Sequence, residues 1–304
     1  MGHPTNFSTV TETEKYIKLG LYVITFTVAV GGNSVVPLVL WKRKRKSVND
    51  LLILNLSVSD LTLMLLSLPL NTFLLGGIDF PVFFCKIVSP FMTATFNVSI
   101  FTLTFMAVYR WRVIVNSLRP EMRHRHVIAW IIVIWIAGCL LLLPLVIVAE
   151  NDETGGCRES WKPYQSRVYT LILFTLQYML PLTIIAGAYM LIGIDIGKAK
   201  ERHDFNAQDR FALEARRKED LQIIKMMGLI VILFALCMLP IQVAWLMTDF
   251  GADKDKEFWN IFLRMADIAA YLHACVHPIV YGTITKYFRR EYMKYAKTVF
   301  CCKG

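Results

Sequence analysis

Apolar residues in this chain come in long unbroken blocks rather than in alternation with polar ones. Val127–Ala149 reads VIAWIIVIWIAGCLLLLPLVIVA and Met226–Met247 reads MMGLIVILFALCMLPIQVAWLM, neither with a charged residue. Helical runs of about 20 such residues cross a hydrocarbon layer roughly 30 Å thick. Seven blocks follow one another, near 17–41, 50–76, 83–115, 127–149, 167–196, 222–248 and 258–283. One block alone fits a buried helix of a soluble globule; seven in series do not. Backbone groups find no water in lipid, so spans are helices or a closed barrel, and barrel strands alternate where these runs are continuous. The pattern predicts an all-α membrane protein, a seven-transmembrane helix bundle over 17–283. A tail over 1–16 precedes it, and an amphipathic helix with a cytosolic tail over 284–304 follows. The third and fifth blocks exceed the bilayer thickness, which predicts tilt or projection into the cytosol. Pro69, Pro144, Pro181, Pro240 and Pro278 fall inside spans, where each is expected to kink its helix.

Composition agrees. The 304 residues are 56% hydrophobic and 18% charged, against about 25% charged in an ordinary soluble domain. The formal net charge of +10 sits at membrane edges: WKRKRKSVND after the first span, LRPEMRHRH after the third, KAKERHDFNAQDRFALEARRKE after the fifth. The segment from Lys198 to Lys218 reads as a basic loop facing a cytosolic partner or lipid headgroups, or as plain solvated surface. The alternate loops carry acids: Asp79; Glu150, Asp152 and Glu153; Asp253, Asp255 and Glu257. Positive loops stay inside, which places the amino terminus outside the cell and the carboxyl terminus in the cytosol of a multi-pass plasma-membrane protein. A basic balance so distributed points to lipid headgroups and not to nucleic acid. The short polar start predicts no cleaved signal peptide.

The outer side is oxidising. Cys85 opens the third span and Cys157 lies in the loop after the fourth, so a disulfide between them is expected. Cys139, Cys237 and Cys275 lie inside spans as small apolar fillers. Asn6 begins an outer glycosylation sequon, whereas the sequons at Asn55 and Asn97 are buried in spans and silent. Near the end, Phe288, Tyr292, Tyr295 and Val299 repeat at helical spacing opposite basic residues. That is a helix lying along the inner leaflet, with Cys301 and Cys302 as palmitoylation sites.

The motifs within the spans are more specific. GGNSVV with Asn33, LNLSVSDL with Asn55 and Asp60, and VYRWRVIVNSLRP with Arg110 and Trp111 resemble the rhodopsin-like G-protein-coupled receptors. Trp135, Pro181, Tyr189, FALCMLP with Phe234 and Pro240, and HPIVY with Pro278 and Tyr281 extend the resemblance over nearly the whole chain. CRESWKPYQSRVYTLILFTLQYMLPL is similar to the second outer loop and fifth helix of neuropeptide Y, RFamide and orexin receptors. The resemblance implies an extracellular peptide ligand, an intracellular heterotrimeric G protein, and no cofactor. Met92 stands where amine receptors carry an aspartate, and Tyr271 where opsins carry the retinal lysine. It further implies that Asp249, at the end of the sixth span, holds an arginine of an amidated peptide; a solvated loop acid is the plain alternative. Asp267 is expected as a second acid, or as a partner of Arg264, with Asn71 and Gln177 adding amide hydrogen bonds. The tail ends soon after Cys302 and holds few serines or threonines, which predicts weak arrestin recruitment, or a shortened chain.

The chain departs from the family at its switches. Tyr109 replaces the acid before Arg110, leaving Asp220 as the remaining resting-state partner and predicting basal signalling. Met238 replaces the usual aromatic switch residue. His277 replaces the asparagine before Pro278, and His273 lies one turn above on the same face. In the family that face meets Asn33, Asp60 and Ser99 around a small polar cavity that often binds sodium. Three readings stay open: a neutral hydrogen-bond network, an ion pair of His277 with Asp60 in the place of sodium, and a transition-metal site. A seven-helix zinc-dependent lipid hydrolase using His273, His277 and Asp60 is the alternative function. It lacks a third histidine, since His3, His124, His126 and His203 lie in tails or loops.

Overall fold

Each apolar block becomes a helix, and local chemistry sets where it starts and breaks. The computed structural model describes residues 12–43, 46–75, 82–115, 121–151, 157–201, 207–252 and 255–301. Asn6, Asp79, Asp152, Glu153, Asp253 and Cys302, and the side chains of Asp220, Glu257, Arg264, Tyr295, Val299 and Cys301, lie outside the described residues. Helix α1 runs Glu12–Trp41, starting ahead of its apolar block with Glu12 and Glu14 in the first turn, where they suit the helix dipole. Helix α2, Val48–Leu75, opens on a reciprocal cap. The Ser47 N–H donates to Asp50 Oδ2 at 2.7 Å and the Asp50 N–H to Ser47 Oγ at 3.2 Å.

A π-helical turn, Phe84–Val88, leads into α3, Ser89–Val115. The fourth span divides at Leu141 into α4, His124–Leu140, and α5, Leu143–Val148, with Pro144 in the first turn of α5 where its missing N–H is harmless. The fifth span is α6, Pro163–Phe174, a π turn at Thr175–Met179, and α7, Leu180–Glu201. That π turn precedes Pro181 and absorbs the backbone mismatch it imposes. Helix α8, Ala207–Phe250, contains Pro240, and α9, Lys256–Ile284, contains Pro278; α10, Lys286–Cys301, follows. The segment Lys198–Lys218 is therefore mostly helix and not loop. Its Ala, Leu, Glu, Lys and Arg residues are strong helix formers, and they carry α8 on from the membrane as a polar rod.

Six helical stretches are long and apolar enough to span a bilayer among the described residues. The seventh, α9, is as long but turns Asp267, His273 and His277 inward. Large apolar side chains such as Ile132, Ile136 and Ile232 point outward, as expected where lipid replaces water. Polar groups instead pair inside. Trp135 Nε1 donates to Asn55 Oδ1 at 2.9 Å, and Asn55 Nδ2 to Thr102 Oγ1 at 2.7 Å. Asn97 donates to the Gly138 carbonyl at 3.3 Å. Both inner sequons are thus walled in by helices and leave a glycan no room. Gly32 lets α1 and α9 touch, because a Cβ there would lie 2.6 Å from Pro278 Cγ. Phe288 of α10 is buried, its ring 5.7 Å from that of Tyr281, while Arg289 and Arg290 face outward.

Past α5 the chain forms a hairpin of β1, Ala149–Asn151, and β2, Cys157–Glu159, paired antiparallel. The disulfide Cys85–Cys157 pins this hairpin over the start of the third span.

Candidate functional site: the bundle mouth and its polar core

The disulfide fixes Cys157, and two residues on it fixes Glu159. Trp161 Nε1 donates to Glu159 Oε2, and the Trp161 ring packs on Tyr169 of α6 with centroids 5.0 Å apart. Burial pushes the Glu159 carboxyl above its ordinary range; the Trp161 N–H opposes this, and the nearby charge of Asp249 adds to the rise. The hairpin thus brings a second acid to the end of α8. Sequence reasoning missed Glu159 and Trp161. Their signal was the spacing C-x-E-x-W, which ties both to a disulfide cysteine.

Asp249 is held by hydroxyls. Ser166 Oγ donates to Asp249 Oδ1 at 3.0 Å and Thr170 Oγ1 donates to Oδ2. The guanidinium of Arg167 donates to the Asp249 carbonyl at 3.1 Å and lies over the Phe250 ring. Neutral donors stabilise a carboxylate without cancelling its charge. The end of the sixth span therefore keeps a negative site beside Glu159.

Asp267 is different. It accepts from the Tyr22 hydroxyl at 2.7 Å and lies 3.9 Å from the ammonium of Lys18, whose side chain is only 3% exposed. Both partners come from α1, and neither was singled out from the sequence. Asn71 Nδ2 donates to the Tyr271 hydroxyl at 2.8 Å, and the Tyr271 ring meets Tyr22 edge-on. Met92 packs beside the same cluster. Gln177 sits in the π turn of the fifth span, its Nε2 buried and without a partner among the described groups. The two acids therefore serve opposite walls of the mouth: Asp249 joins α8 to α6, and Asp267 joins α9 to α1.

Below the mouth, α1, α2, α3 and α9 converge on a closed polar core. Asp60, His273 and His277 are wholly buried. His277 Nδ1 meets Asp60 Oδ2 at 2.7 Å; Ser99 Oγ donates to Asp60 Oδ1 at 3.5 Å, and His273 Nε2 lies 3.8 Å from that oxygen. Ser59 and Ser99 share a hydrogen bond of 2.9 Å. Asn33 Nδ2 donates to the carbonyls of Ala29 and Ala274. His273 Nδ1 bonds the Ala270 carbonyl, and its ring lies between Phe96 and Phe234. The histidine face thus meets Asp60 and Ser99, close to Asn33. No group of three or more His, Cys, Asp or Glu side chains among the described residues is placed to hold a metal ion.

A family model described as "7 transmembrane receptor (rhodopsin family)" matches residues 32–281. The chain belongs to that family. Its relatives include neuropeptide FF receptor 1 of Rattus norvegicus, 27% identical over 93% of this chain and 71% of that protein. Galanin receptor type 1 of the same species is 29% identical over 95% of this chain and 84% of its own length. Somatostatin receptor type 4, also from rat, is 28% identical over 93% and 73%. The fold is that of squid rhodopsin, with a TM-score of 0.84 and 23% identity over 100% of this chain and 92% of the other. The zinc-hydrolase alternative finds no support among these.

Toward the end of α3 away from the disulfide, Arg110 and Tyr109 are both buried. Tyr109 stacks on Phe105, which in turn packs on Trp130. Tyr109 is thus a packed aromatic filling a site where an acid would face Arg110. The hydroxyls of Tyr189 and Tyr281 are buried without partners among the described groups, and Arg110 is close enough for its charge to act on Tyr189. Trp111 packs at the edge of the inner core; Phe234 and Met238 lie within it.

Proposed function

We propose that this receptor binds an extracellular, Arg-containing, amidated peptide at the Asp249–Glu159 end of its mouth and signals to a heterotrimeric G protein. The observation that carries the reading is the Asp249 carboxylate, held by two neutral hydroxyls beside a second acid. A guanidinium bonds a carboxylate through two parallel N–H groups, and it gains most where water is excluded. Trp161 and Tyr169 offer a ring surface for an adjoining aromatic side chain. That the relatives are receptors for neuropeptide FF, galanin and somatostatin supports a peptide ligand over a small amine.

Asp267, matched by Lys18 and Tyr22, is the weaker ligand anchor and serves mainly to fasten α9 to α1. Asn71, Met92 and Gln177 line the deeper route. The acidic mouth faces outward and the basic loops face the cytosol, with Asn6 glycosylated outside and Cys301 and Cys302 lipidated inside. A ligand that binds the active bundle more tightly than the resting one shifts the population. Arg110, Tyr189 and Tyr281, with Asp220 just ahead of the spanning part of α8, then rearrange to admit the G protein. Screening amidated peptides on expressing cells, with calcium and cAMP readouts, tests the reading. It predicts sub-micromolar responses to Arg-Phe-amide or Arg-Tyr-amide peptides; a response confined to peptides without a basic residue would overturn it.

A further inference from the structure

The family's polar cavity often binds sodium, and the residues found here do not fit that ion. Sodium is a hard cation that seeks carboxylate, hydroxyl, carbonyl and water oxygens, whereas imidazole nitrogen suits softer metals. Among the described residues Asp60 is the carboxylate of this core, and its Oδ2 is taken by His277 Nδ1 at 2.7 Å. With the carboxylate oxygen accepting, the ring nitrogen donates its hydrogen to it. A cation approaching Oδ2 would meet the positive end of an N–H bond.

The other oxygen of Asp60 is met by longer contacts, all from the chain itself. Oδ1 faces Ser99 Oγ at 3.5 Å and His273 Nε2 at 3.8 Å. The Ala270 carbonyl holds His273 Nδ1, and a carbonyl only accepts, so Nδ1 bears a hydrogen and Nε2 is the edge turned toward Asp60. Ser59 and Ser99 are bonded to each other. Ala274, wholly buried on this face, contributes no hydroxyl, and its carbonyl is taken by Asn33. A buried carboxylate needs a donor or a counter-charge. Here the protein supplies it from its own chain.

We propose that the His277 imidazole is the built-in counter-group of Asp60, standing in the place of a bound sodium ion, and that the resting receptor is therefore indifferent to sodium. The bond joins residues 217 apart in sequence and locks α2 to α9. An ion can leave when helices shift; a side chain beside Pro278 cannot. Movement of α9 must break or carry the Asp60–His277 bond, so this contact biases the equilibrium between resting and active bundles directly.

The test needs no agonist, so its outcome is independent of the peptide reading. The purified full chain in lipid nanodiscs is unfolded thermally in sodium chloride and in N-methylglucamine chloride, at equal ionic strength and pH. The wild type is expected to unfold within about 1 °C in the two salts, whereas a sodium-binding core would gain roughly 3 °C or more. His277→Asn opens the carboxylate and should acquire that sodium-dependent rise. A wild-type rise of this size overturns the proposal. So does a folded His277→Asn variant that ignores sodium, since the imidazole would then not be occupying a cation's place. If His277→Asn does not accumulate, the wild-type comparison decides alone.

Discussion

The hydroxyl of Ser166 reaches the carboxylate of Asp249 across 3.0 Å and so fastens the outer end of α8 to that of α6. Thr170, one turn along α6, donates to the second oxygen. These bonds orient a charge without neutralising it, which suits a site awaiting a cationic side chain. A guanidinium that takes over the carboxylate makes the two hydroxyls dispensable. Ser166→Ala combined with Thr170→Val should therefore change peptide affinity by about three-fold at most, whereas Asp249→Asn should weaken it by roughly ten-fold or more. Radioligand competition on membranes measures both. Equal losses in the two variants would make Asp249 a helix tie and not a ligand anchor.

Glu159 gives the mouth a pH response. Its carboxyl titrates above the usual range because it is buried and because Asp249 lies close by. As pH falls, Glu159 takes up a proton and the mouth loses that negative charge. Lowering the pH from about 7.4 into the range where Glu159 takes up its proton should lower affinity for an Arg-containing peptide by roughly three-fold or more. Glu159→Gln should bind more weakly at neutral pH and show a flatter profile. A wild-type profile that is level over this interval would remove Glu159 from the site.

Lys18 and Asp267 make a pair whose halves depend on each other. Asp267→Asn takes the Asp267 charge away from a nearly buried ammonium, and breaking such a pair typically costs about 3 kcal/mol. Surface expression and thermal stability should fall, and a second change, Lys18→Met, should restore much of the loss. Peptide affinity among the surviving receptors should move less than in Asp249→Asn. Absence of rescue by Lys18→Met would mean that Asp267 is needed for something other than this pairing.

Much of this arrangement was legible in the sequence, and the exceptions have physical reasons. Continuous apolar runs fix the spans because lipid leaves a backbone few choices, and the cysteine pair could be placed from topology alone. Asp249 was singled out through the resemblance to peptide receptors, and it lies at the end of α8 beside Glu159. Lys18 and Tyr22 were hidden because a lysine at the start of a span reads as an interfacial residue, and only packing turns it inward toward Asp267. Ser166 and Thr170 were hidden because one-turn spacing of hydroxyls on a helix is common; what matters is the neighbour they face. The polar start of α8 was mistaken for a loop because periodicity of apolar positions fades once a helix leaves the membrane.

Tyr109 bears on the resting state. Its ring is packed on Phe105, and in the proposed reading it stands where an acid would restrain Arg110. Tyr109→Asp should lower ligand-free signalling by about ten-fold if it restores that restraint. Tyr109→Phe keeps the ring and should signal as the wild type does. Reporter assays at matched surface expression measure both, and unchanged basal output in Tyr109→Asp would show that the position does not set the equilibrium.

The central claim is that one peptide guanidinium meets the Asp249 carboxylate. A double-mutant cycle tests it directly: wild type and Asp249→Ala are each titrated with an active Arg-containing amidated peptide and with its citrulline analogue, which keeps the shape and loses the charge. Citrulline should weaken binding to the wild type by about 30-fold and to Asp249→Ala by no more than about two-fold, a coupling of roughly 1.5 kcal/mol or more. The same loss on both receptors would mean that the arginine and Asp249 never meet.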